Sequence, residues 1–319
     1  MAIFDINGNV LCDQTPSGSY TDAQCTAAFM SYMAKKSAAY GMTGTSYENP
    51  SGLTSVSRST PQDEMKLGLM VTAYREGLDI WSTKSQSFNV KGSHARTITV
   101  TNIAIDGDSS LASVLAAAGY QRLGGKGGSL IGSYGYQKAS IQLVDINGTP
   151  VIMGLMCTGQ TAFDAMNSSV KELCDVMSAT LQGQTPSVGT NLAQLVSSGG
   201  GYAACVVPNI SGGYANVVTP AQLLARTYSV SDSPTASRIP ASTTKTMTML
   251  CALDFLKDPF ETVQVKTVDI SRGSGSTFYD GDVLNIMDAL KIMMMESSNT
   301  LANVIARYTG SKILSFGLA

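Results

Sequence analysis

Histidine is almost absent from this chain of 319 residues, in which the single copy is His94. A Ser-His-Asp or Cys-His hydrolase needs an imidazole base, so either type would have to use this residue. His94 lies in FNVKGSHARTITVTN, which alternates like a strand and is rich in threonine and valine, and this pattern predicts a histidine on a surface strand. If the chain is a hydrolase, its base is therefore expected to be another kind of side chain.

Charged residues are also scarce. They make up 14% of the chain, with a net charge of −2 and no basic run, whereas a typical soluble domain carries roughly 25%. Because phosphate binding needs clustered lysine and arginine, the composition argues against nucleic acid as the main partner. No stretch approaches the ~18 consecutive apolar residues of a membrane span. The opening MAIFDINGNV lacks a charged start and an apolar core, which predicts no signal peptide in this chain.

Cysteines are few and widely spaced, and none forms a CxxC pair. With a single histidine in the chain, this argues against a Cys/His zinc site, and we expect no metal or other cofactor. Three of the cysteines lie in apolar runs that are typical of a core, so we expect free thiols. The six are Cys12, Cys25, Cys157, Cys174, Cys205 and Cys251.

Turn residues and apolar periodicity predict an α+β chain. Asp-Ile-Asn-Gly occurs at residues 5–8 and again at 145–148. Asn-Gly suits a two-residue hairpin turn, and we expect both hairpins to serve one antiparallel sheet. Further strands are predicted near 86–103 and 129–157 and in the pieces YAACVVPNI and YANVVT, and helices over 21–42, 59–77, 109–118, 161–182, 243–256 and 282–307. Residues 183–203, rich in Gly, Ser and Thr, are predicted to be a linker.

The first chemical motif lies in IPASTTKTMTMLCALDF, where Ser242 starts a predicted helix and Lys245 follows three residues later. Both side chains then project from one face. The free N–H groups and the positive end of a helix suit a serine whose attack creates an oxyanion. An ordinary helix cap is the alternative. The pattern alone is weak evidence, because Ser168 and Lys171 repeat it.

The second motif lies in MMMESSNTLAN, where Ser297, Ser298 and Asn299 follow an apolar run that we expect to be core. Polar side chains at that point suggest a cleft, in which a hydroxyl relays a proton and an amide holds a carbonyl. The same Ser-x-Asn spacing occurs at Ser87 and Asn89 in a predicted strand.

The third motif is LGGKGGSLIGSYG, in which Lys126, Gly127 and Gly128 open a strand. Glycines let a substrate backbone lie against a strand edge. The N–H groups of Ser129 and Ser242 would form an oxyanion hole. The same Lys-x-Gly spacing occurs at Lys66-Leu67-Gly68, on a predicted helix face.

Together the three motifs resemble the Ser-x-x-Lys, Ser-x-Asn and Lys-Thr-Gly set of the penicillin-recognising serine enzymes. The closest likeness is to the D-alanyl-D-alanine carboxypeptidase family, also called low-molecular-mass penicillin-binding proteins. AAYGMTGTSYENPSGL, STPQDEMKLGLM and HARTITVTN are similar to segments of that family that carry no catalytic residue. The resemblance covers most of residues 21–180 and 235–310.

The resemblance implies a β-lactamase/transpeptidase-like α+β fold, with an antiparallel sheet flanked by helices and an all-helical subdomain. Residues 1–319 would form one transpeptidase-like domain. The helical subdomain would hold mainly 21–42 and 246–319, and the sheet subdomain mainly 1–20, 60–182 and 204–245.

The implied activity is that of a serine D-Ala-D-Ala carboxypeptidase acting on peptidoglycan stem peptides, with β-lactams as further ligands and an extracytoplasmic location. Ser242 would form the acyl-enzyme and Lys245 would be its base. Ser297 would relay the proton, Asn299 would position Lys245, and Lys126 would complete the catalytic set. The substrate-binding residues would be Gly127, Gly128, Ser129 and Ser298.

Other functions stay open on the same residues. An esterase or D-amino-acid amidase would use the same nucleophile, and a non-catalytic peptidoglycan-binding module would keep the fold alone. A β-lactamase of class A is disfavoured because those enzymes deacylate through a glutamate-held water. Glu48 in YENPSG is the one candidate for that base, and it belongs to the carboxypeptidase-like segment.

Two departures from the family pattern matter. Gly127 stands where the family has threonine, so a hydroxyl that would contact a substrate carboxylate is missing. In addition, Lys126 precedes Ser242, whereas the family's Lys-Thr-Gly comes last. We therefore expect a circularly permuted order, with the break near Ala319 and Met1 and with 183–203 joining the family's usual termini. A domain-swapped dimer is the competing geometry.

Overall fold

The computed structural model describes residues 3–4, 10–11, 19–102, 109–208 and 229–318. Its main sheet has five strands in the order β5-β6-β7-β8-β9, and every neighbouring pair is antiparallel. The strands are β5 (Tyr120–Leu130), β6 (Gln137–Ile146), β7 (Thr149–Thr158), β8 (Gly201–Val206) and β9 (Ser229–Asp232). The predicted strand piece YANVVT and Cys12 lie outside the described residues.

Within the described residues, three smaller sheets have two antiparallel strands each. They are β1 (Ile3–Phe4) with β2 (Val10–Leu11), β3 (Ser85–Val90) with β4 (Arg96–Thr101), and β10 (Thr262–Gln264) with β11 (Val283–Asn285). The β1–β2 pair forms a sheet of its own in the part of the chain described here, so the expectation that both hairpins serve one sheet is wrong. The second hairpin turns at Asn147 and Gly148, with φ of 54° and 82°, because a tight turn of this type needs positive φ at both positions.

Ten helices of the described residues surround these strands. They are α1 (Asp22–Ala39), α2 (Pro61–Val71), α3 (Arg75–Ser82), α4 (Ser109–Ala117), α5 (Gln160–Asp164), α6 (Met166–Leu181), α7 (Thr190–Ser197), α8 (Thr244–Leu253), α9 (Ile286–Met295) and α10 (Asn299–Ser315). Sequence-local caps set two of the starts. Thr21 and Gln24 close a capping box on α1, and Thr60 caps α2 just before its first-turn proline.

The helices lie on both faces of the five-stranded sheet, which confirms an α+β fold with an antiparallel sheet and flanking helices. On one face, α4, α6 and α7 pack over alternate residues of β6, β7 and β8. On the other face, α2 lies against the sheet, and the group of α1, α8, α9 and α10 packs beyond it in a second core. The Met run 293–295 is buried in that core, as expected.

Three predicted elements differ in detail. The helix expected over 59–77 divides into α2 and α3. At the division the Thr72 hydroxyl donates to the carbonyl of Leu69 at 2.7 Å, and the backbone makes i, i+3 hydrogen bonds in place of the i, i+4 bonds of an α-helix. The helix expected over 282–307 begins with β11 and breaks between α9 and α10. The predicted linker 183–203 contains α7 and the first residues of β8, because Leu192 and Leu195 bury one face of that helix.

His94 does not lie in a strand. It occupies the turn between β3 and β4, where Gly92 has a φ of 98° and the Gly-Ser pair interrupts the alternation. Its ring stacks on that of Tyr279 with centroids 4.6 Å apart. In the described ranges, no helix combines the length and the apolar character needed to cross a bilayer.

Candidate active site

Ser242 sits in a single 3₁₀ turn, Ala241–Thr243, that leads directly into α8. We call this segment the nucleophile turn. The hydroxyl and the N–H of Thr243 both donate to the carbonyl of Pro240, at 2.8 and 3.2 Å. Ala241 takes a φ of 49°, an uncommon conformation for a residue with a side chain. The turn thereby presents the half-buried Ser242 at a cleft, whereas its neighbours are buried.

Lys245 lies one turn further along and is fully buried. Its Nζ is 2.9 Å from Ser242 Oγ, 2.7 Å from Asn299 Oδ1 and 2.7 Å from the carbonyl oxygen of Ser51. Three hydrogen-bond partners surround the amine at short distances. The i, i+3 spacing on one helical face accounts for the contact with Ser242.

The orientation of Asn299 decides how the amine is used. Its Nδ2 donates to the carbonyl of Arg272 at 3.0 Å, so its Oδ1 must face Lys245. A neutral amine then donates its two N–H groups to Asn299 Oδ1 and to the Ser51 carbonyl, which can only accept. The remaining lone pair faces Ser242, and this is the geometry of a base for the serine hydroxyl.

Burial favours that neutral state. Removal from water is the main cause that holds the pKa of Lys245 well below its usual value, and the charge of Lys126 adds to it. Burial likewise lowers the pKa of Lys126 to about 7. Burial and the neighbouring Lys126 thus both favour the neutral form of Lys245.

Lys126 is fully buried on β5 and bonds to the second motif. Its Nζ donates to Ser297 Oγ at 3.0 Å and to the carbonyl of Gly127 at 2.7 Å. Ser297 lies in the break between α9 and α10 with a φ of 65°, which turns its side chain into the cleft. The first, second and third motifs therefore meet at one place.

Ser298 caps a helix. It is 1% exposed, and its hydroxyl accepts the N–H of Leu301 at 3.3 Å as the cap of α10. It does not belong to the cleft lining among the described residues, and its substrate-binding role stays a prediction. Serine is a preferred residue at the position directly before a helix. The sequence Ser-Ser-Asn alone does not show which of its two serines takes that position.

A cleft of about 180 Å³ runs past Ser242, Ser297 and the edge strand β5. Because Gly128 has no side chain, β5 can approach the nucleophile turn closely. A Cβ built on Gly128 would lie 2.6 Å from the nitrogen of Ser242. At Gly127 a Cβ would meet nothing within 4 Å. Ser129 also lines the cleft. Because β5 is an edge strand, alternate N–H groups turn away from β6 and are available to a ligand.

Several lining residues were not singled out in the sequence. Among the described residues that line the cleft none is acidic, and two are cations on β5 and β6, Arg122 and Lys138. Ser274 joins them from the segment that precedes β11. The carbonyl of Ser51 was missed as well, although its segment NPSGL was noted. A backbone carbonyl carries no sequence signal, and cations from separate strands converge only after folding.

The other copies of each motif's spacing lie outside the cleft lining. Lys171 forms an ion pair with Asp175 at 2.6 Å on α6. Ser87 bonds to Thr99 across the β3–β4 pair at 2.8 Å. Lys66 is paired with Asp63 at 3.2 Å. Each therefore has a local partner that accounts for it.

Glu48, the candidate for a deacylating base, also has a local partner. Glu48 accepts a hydrogen bond from Thr54 within its own loop and does not line the cleft.

The five cysteines of the described ranges are free and buried. Within those same ranges, no cluster of three or more His, Cys, Asp or Glu side chains could hold a metal ion.

Comparison with known proteins adds no family assignment. No family model matches the chain, and no curated protein or solved structure shows significant similarity to it. The function must therefore be argued from the cleft itself.

Proposed function

We propose that the chain is a serine acyl-transfer enzyme of the penicillin-recognising type, in which Ser242 is the nucleophile and Lys245 its base. The observation that supports this most directly is the contact of Lys245 Nζ with Ser242 Oγ at 2.9 Å, while two carbonyl groups take its N–H groups. Lys126 and Ser297 stand beside the pair at 3.0 Å from one another.

In the proposed reaction, Ser242 Oγ bonds to a substrate carbonyl carbon as its proton passes to Lys245. The N–H groups of Ser242 and Ser129 would hold the oxyanion. The bond from the carbonyl carbon to the leaving amine then breaks, and Ser297 relays a proton to that amine. Water cleaves the resulting ester and returns the proton to Ser242.

The substrate class follows from the charge of the cleft. Its described lining has cations and no carboxylate, so it favours a substrate that ends in a carboxylate, such as a D-Ala-D-Ala stem peptide or a β-lactam. An esterase or D-amino-acid amidase is the second candidate. Gly127 favours it, because the hydroxyl that the family uses for that carboxylate is absent.

The order of the motifs supports a proposed circular permutation of a β-lactamase/transpeptidase-like fold. Lys126 on β5 precedes Ser242 in the chain, yet both reach one cleft. The segment 183–203 would then join elements that begin and end the family's usual order. In a domain-swapped dimer the same three motifs would instead combine from two chains.

Incubation with penicillin G, followed by intact and peptide mass spectrometry, tests the proposal. We expect one covalent adduct, located on the peptide that contains Ser242, and none on Ser242→Ala. Labelling of Ser242→Ala would refute the nucleophile assignment. Turnover of p-nitrophenyl esters without release of D-alanine would favour the esterase, and a folded protein that is never acylated would indicate a binding module.

Restoring the missing hydroxyl is expected to increase β-lactam acylation. A Cβ added at Gly127 would meet nothing within 4 Å, and threonine suits a strand. A hydrogen bond to a charged group contributes about 1.5–3 kcal/mol, so we expect acylation about 10- to 100-fold faster. The rate constant of acylation by a fluorescent penicillin measures this.

Gly127→Val is the matched control for that variant. It has the shape of threonine without the hydroxyl, and we expect it to give no gain. Equal acceleration by both variants would mean that strand rigidity, and not a hydrogen bond, is responsible.

A further inference from the structure

Residues 271–276, Ser-Arg-Gly-Ser-Gly-Ser, precede β11 and supply Ser274 to the cleft lining. They belong to no helix or strand, and most of them are exposed. In the part of the chain that the structure describes, no backbone–backbone hydrogen bond joins them to another element. Side chains must therefore hold this stretch, which we call the clamped segment, in place.

Two side chains hold the clamped segment at its ends. Glu296 directly follows α9, and its two carboxyl oxygens accept the N–H and the hydroxyl of Ser276, each at 2.7 Å. Thr300 lies in the first turn of α10, where its hydroxyl accepts the N–H of Ser271 at 3.1 Å and donates to the carbonyl of that residue at 3.2 Å. Hydrogen bonds to a carboxylate are roughly twice as strong as those between neutral groups, so the pair at Glu296 is the main attachment.

Two glycines let the clamped segment approach the second motif closely. Gly273 and Gly275 have φ of 122° and 98°. A Cβ on Gly275 would lie 2.8 Å from Ser298 Cα, and a Cβ on Gly273 would collide with Asn299 Nδ2. Ser274, between the two glycines, lines the cleft. The clamped segment therefore both packs on the second motif and contributes to the cleft.

The contact that reaches the base is made by the carbonyl of Arg272. It accepts the Nδ2–H of Asn299 at 3.0 Å, and Asn299 Oδ1 consequently faces Lys245 Nζ at 2.7 Å. If that carbonyl moves away, the amide loses the acceptor that distinguishes its two ends. A reversed amide would donate Nδ2–H to the lone pair of the neutral amine, and the serine proton would then have no acceptor.

We propose that Glu296 is a positioning residue for Lys245. Its carboxylate holds the clamped segment against the second motif, and the Arg272 carbonyl on that segment keeps the Asn299 amide in the orientation that leaves the lone pair of the lysine for Ser242. The inference rests on the proposed acyl-transfer function for its kinetic consequence, whereas the attachment of the clamped segment does not depend on that function.

The attachment and the charge of Glu296 are two separate routes to the base, and a glutamine distinguishes them. Glu296 is not among the described residues that line the cleft, so it does not meet the substrate there. Glu296→Gln removes the charge, but its amide can still accept the N–H of Ser276 and donate to the hydroxyl. Glu296→Ala removes both the charge and the attachment.

The first experiment needs no substrate. Amide hydrogen exchange, followed by NMR, should show that Glu296→Ala lowers the protection of the N–H groups of Ser276 and Ser271 together, each by roughly tenfold or more. Loss of protection at Ser276 alone would mean that the segment is not held as one unit, and the proposal would be wrong.

Glu172→Ala is the matched control for both experiments. Glu172 on α6 likewise accepts a backbone N–H, that of Leu192, at 2.7 Å, and the amide of Asn191 at 2.6 Å, but it is not among the described residues of the cleft lining. We expect this variant to leave the exchange of the clamped segment and the reactivity of Ser242 unchanged.

The second experiment measures acylation of Ser242 by penicillin and by a fluorophosphonate, a general probe of reactive serines. We expect Glu296→Ala to react about 10- to 100-fold more slowly with both probes, because both need the base and a misplacement of about 1 Å can cost a hundredfold. Glu296→Gln should stay within about threefold of the wild type. Ser276→Ala, a milder change that removes one of the two bonds, should slow both probes by about three- to tenfold.

Three results would contradict the positioning role. A loss confined to penicillin would place the effect in contacts with that substrate and not in the base. An equal loss in Glu296→Ala and Glu296→Gln would assign the effect to charge. An unchanged rate in Ser276→Ala would show that the attachment does not matter, and this variant decides the question if Glu296→Ala does not fold.

A double-mutant cycle shows whether Glu296 acts through Asn299. Asn299→Ala already lacks the amide, so adding Glu296→Ala should slow acylation by less than about twofold more. If the two losses multiply in full, Glu296 acts by another route and the inference fails.

If neither probe ever labels Ser242 in the wild type, the acyl-transfer function fails, and the exchange measurement still decides whether Glu296 holds the clamped segment. The two failures are thus separate.

Discussion

Lys245→Met is expected to slow acylation of Ser242 by about a thousandfold, because a positioned general base contributes about 10²–10⁴ in rate. Methionine has a similar length and no lone pair of comparable basicity, so the serine proton has no acceptor at 2.9 Å. The burst of a fluorescent penicillin, followed under single-turnover conditions, measures the effect. Lys171→Met is the matched control, because it removes the lysine of the other Ser-x-x-Lys sequence, on α6. Ser242 of this control should be acylated at the wild-type rate.

The same substitution has a thermodynamic signature. Because the folded-state pKa of Lys245 is lowered from 10.5, the unfolded chain binds more protons between the two values. Lys245 should therefore add about 1.4 kcal/mol of stability per pH unit as the pH rises toward about 10.5, beside a gain of the same sign from Lys126, and the slope of Lys245→Met should be smaller by that amount. Unfolding in urea over this range tests it, and a wild-type curve parallel to that of the variant would contradict a buried neutral amine.

Gly128→Ala is expected to slow acylation by at least about a hundredfold. Its Cβ would lie 2.6 Å from the nitrogen of Ser242 and 2.7 Å from the carbonyl of Pro240, and both are backbone atoms that no rotamer change can move. Either β5 or the nucleophile turn must shift, and a misplacement of about 1 Å can cost a hundredfold in rate. Acylation kinetics, together with circular dichroism to confirm folding, measure the change.

Gly127→Ala provides the control for this substitution. It adds the same methyl group one residue earlier on the same strand, where nothing lies within 4 Å. We expect acylation within about twofold of the wild type, since a strand surface tolerates alanine. Comparable losses in both variants would show that the edge strand needs flexibility and not close approach.

Local patterns predicted most of the elements. The Ser-Thr-Pro at 59–61 indicated the start of α2, with Ser59 or Thr60 as its cap, and Asn147-Gly148 indicated the turn between β6 and β7, because caps and tight turns depend on a few neighbouring residues. The errors lie where tertiary contacts override the pattern. Helix α7, hidden in a Gly/Ser-rich stretch, forms because Leu192 and Leu195 are buried, and that burial depends on partners distant in sequence.

The candidate site divides in the same way. The spacing of Ser242 and Lys245 predicted their contact, since three residues along a helix place two side chains on one face. The same spacing at Ser168 and Lys171 is indistinguishable in the sequence. Only the fold separates them, because Lys171 has an acidic neighbour in its own helix at 2.6 Å.

By itself, the amino-acid sequence determined the α+β composition, the starts of α1 and α2 and the i, i+3 pairing of the nucleophile candidate with its proposed base. Only the tertiary structure decided that Lys126 meets Ser297 and that the Ser51 carbonyl and Asn299 orient the amine of Lys245. The reason is physical. Backbone turns and caps are set within a few residues, whereas the burial that keeps a lysine amine neutral depends on elements that are far apart in the chain.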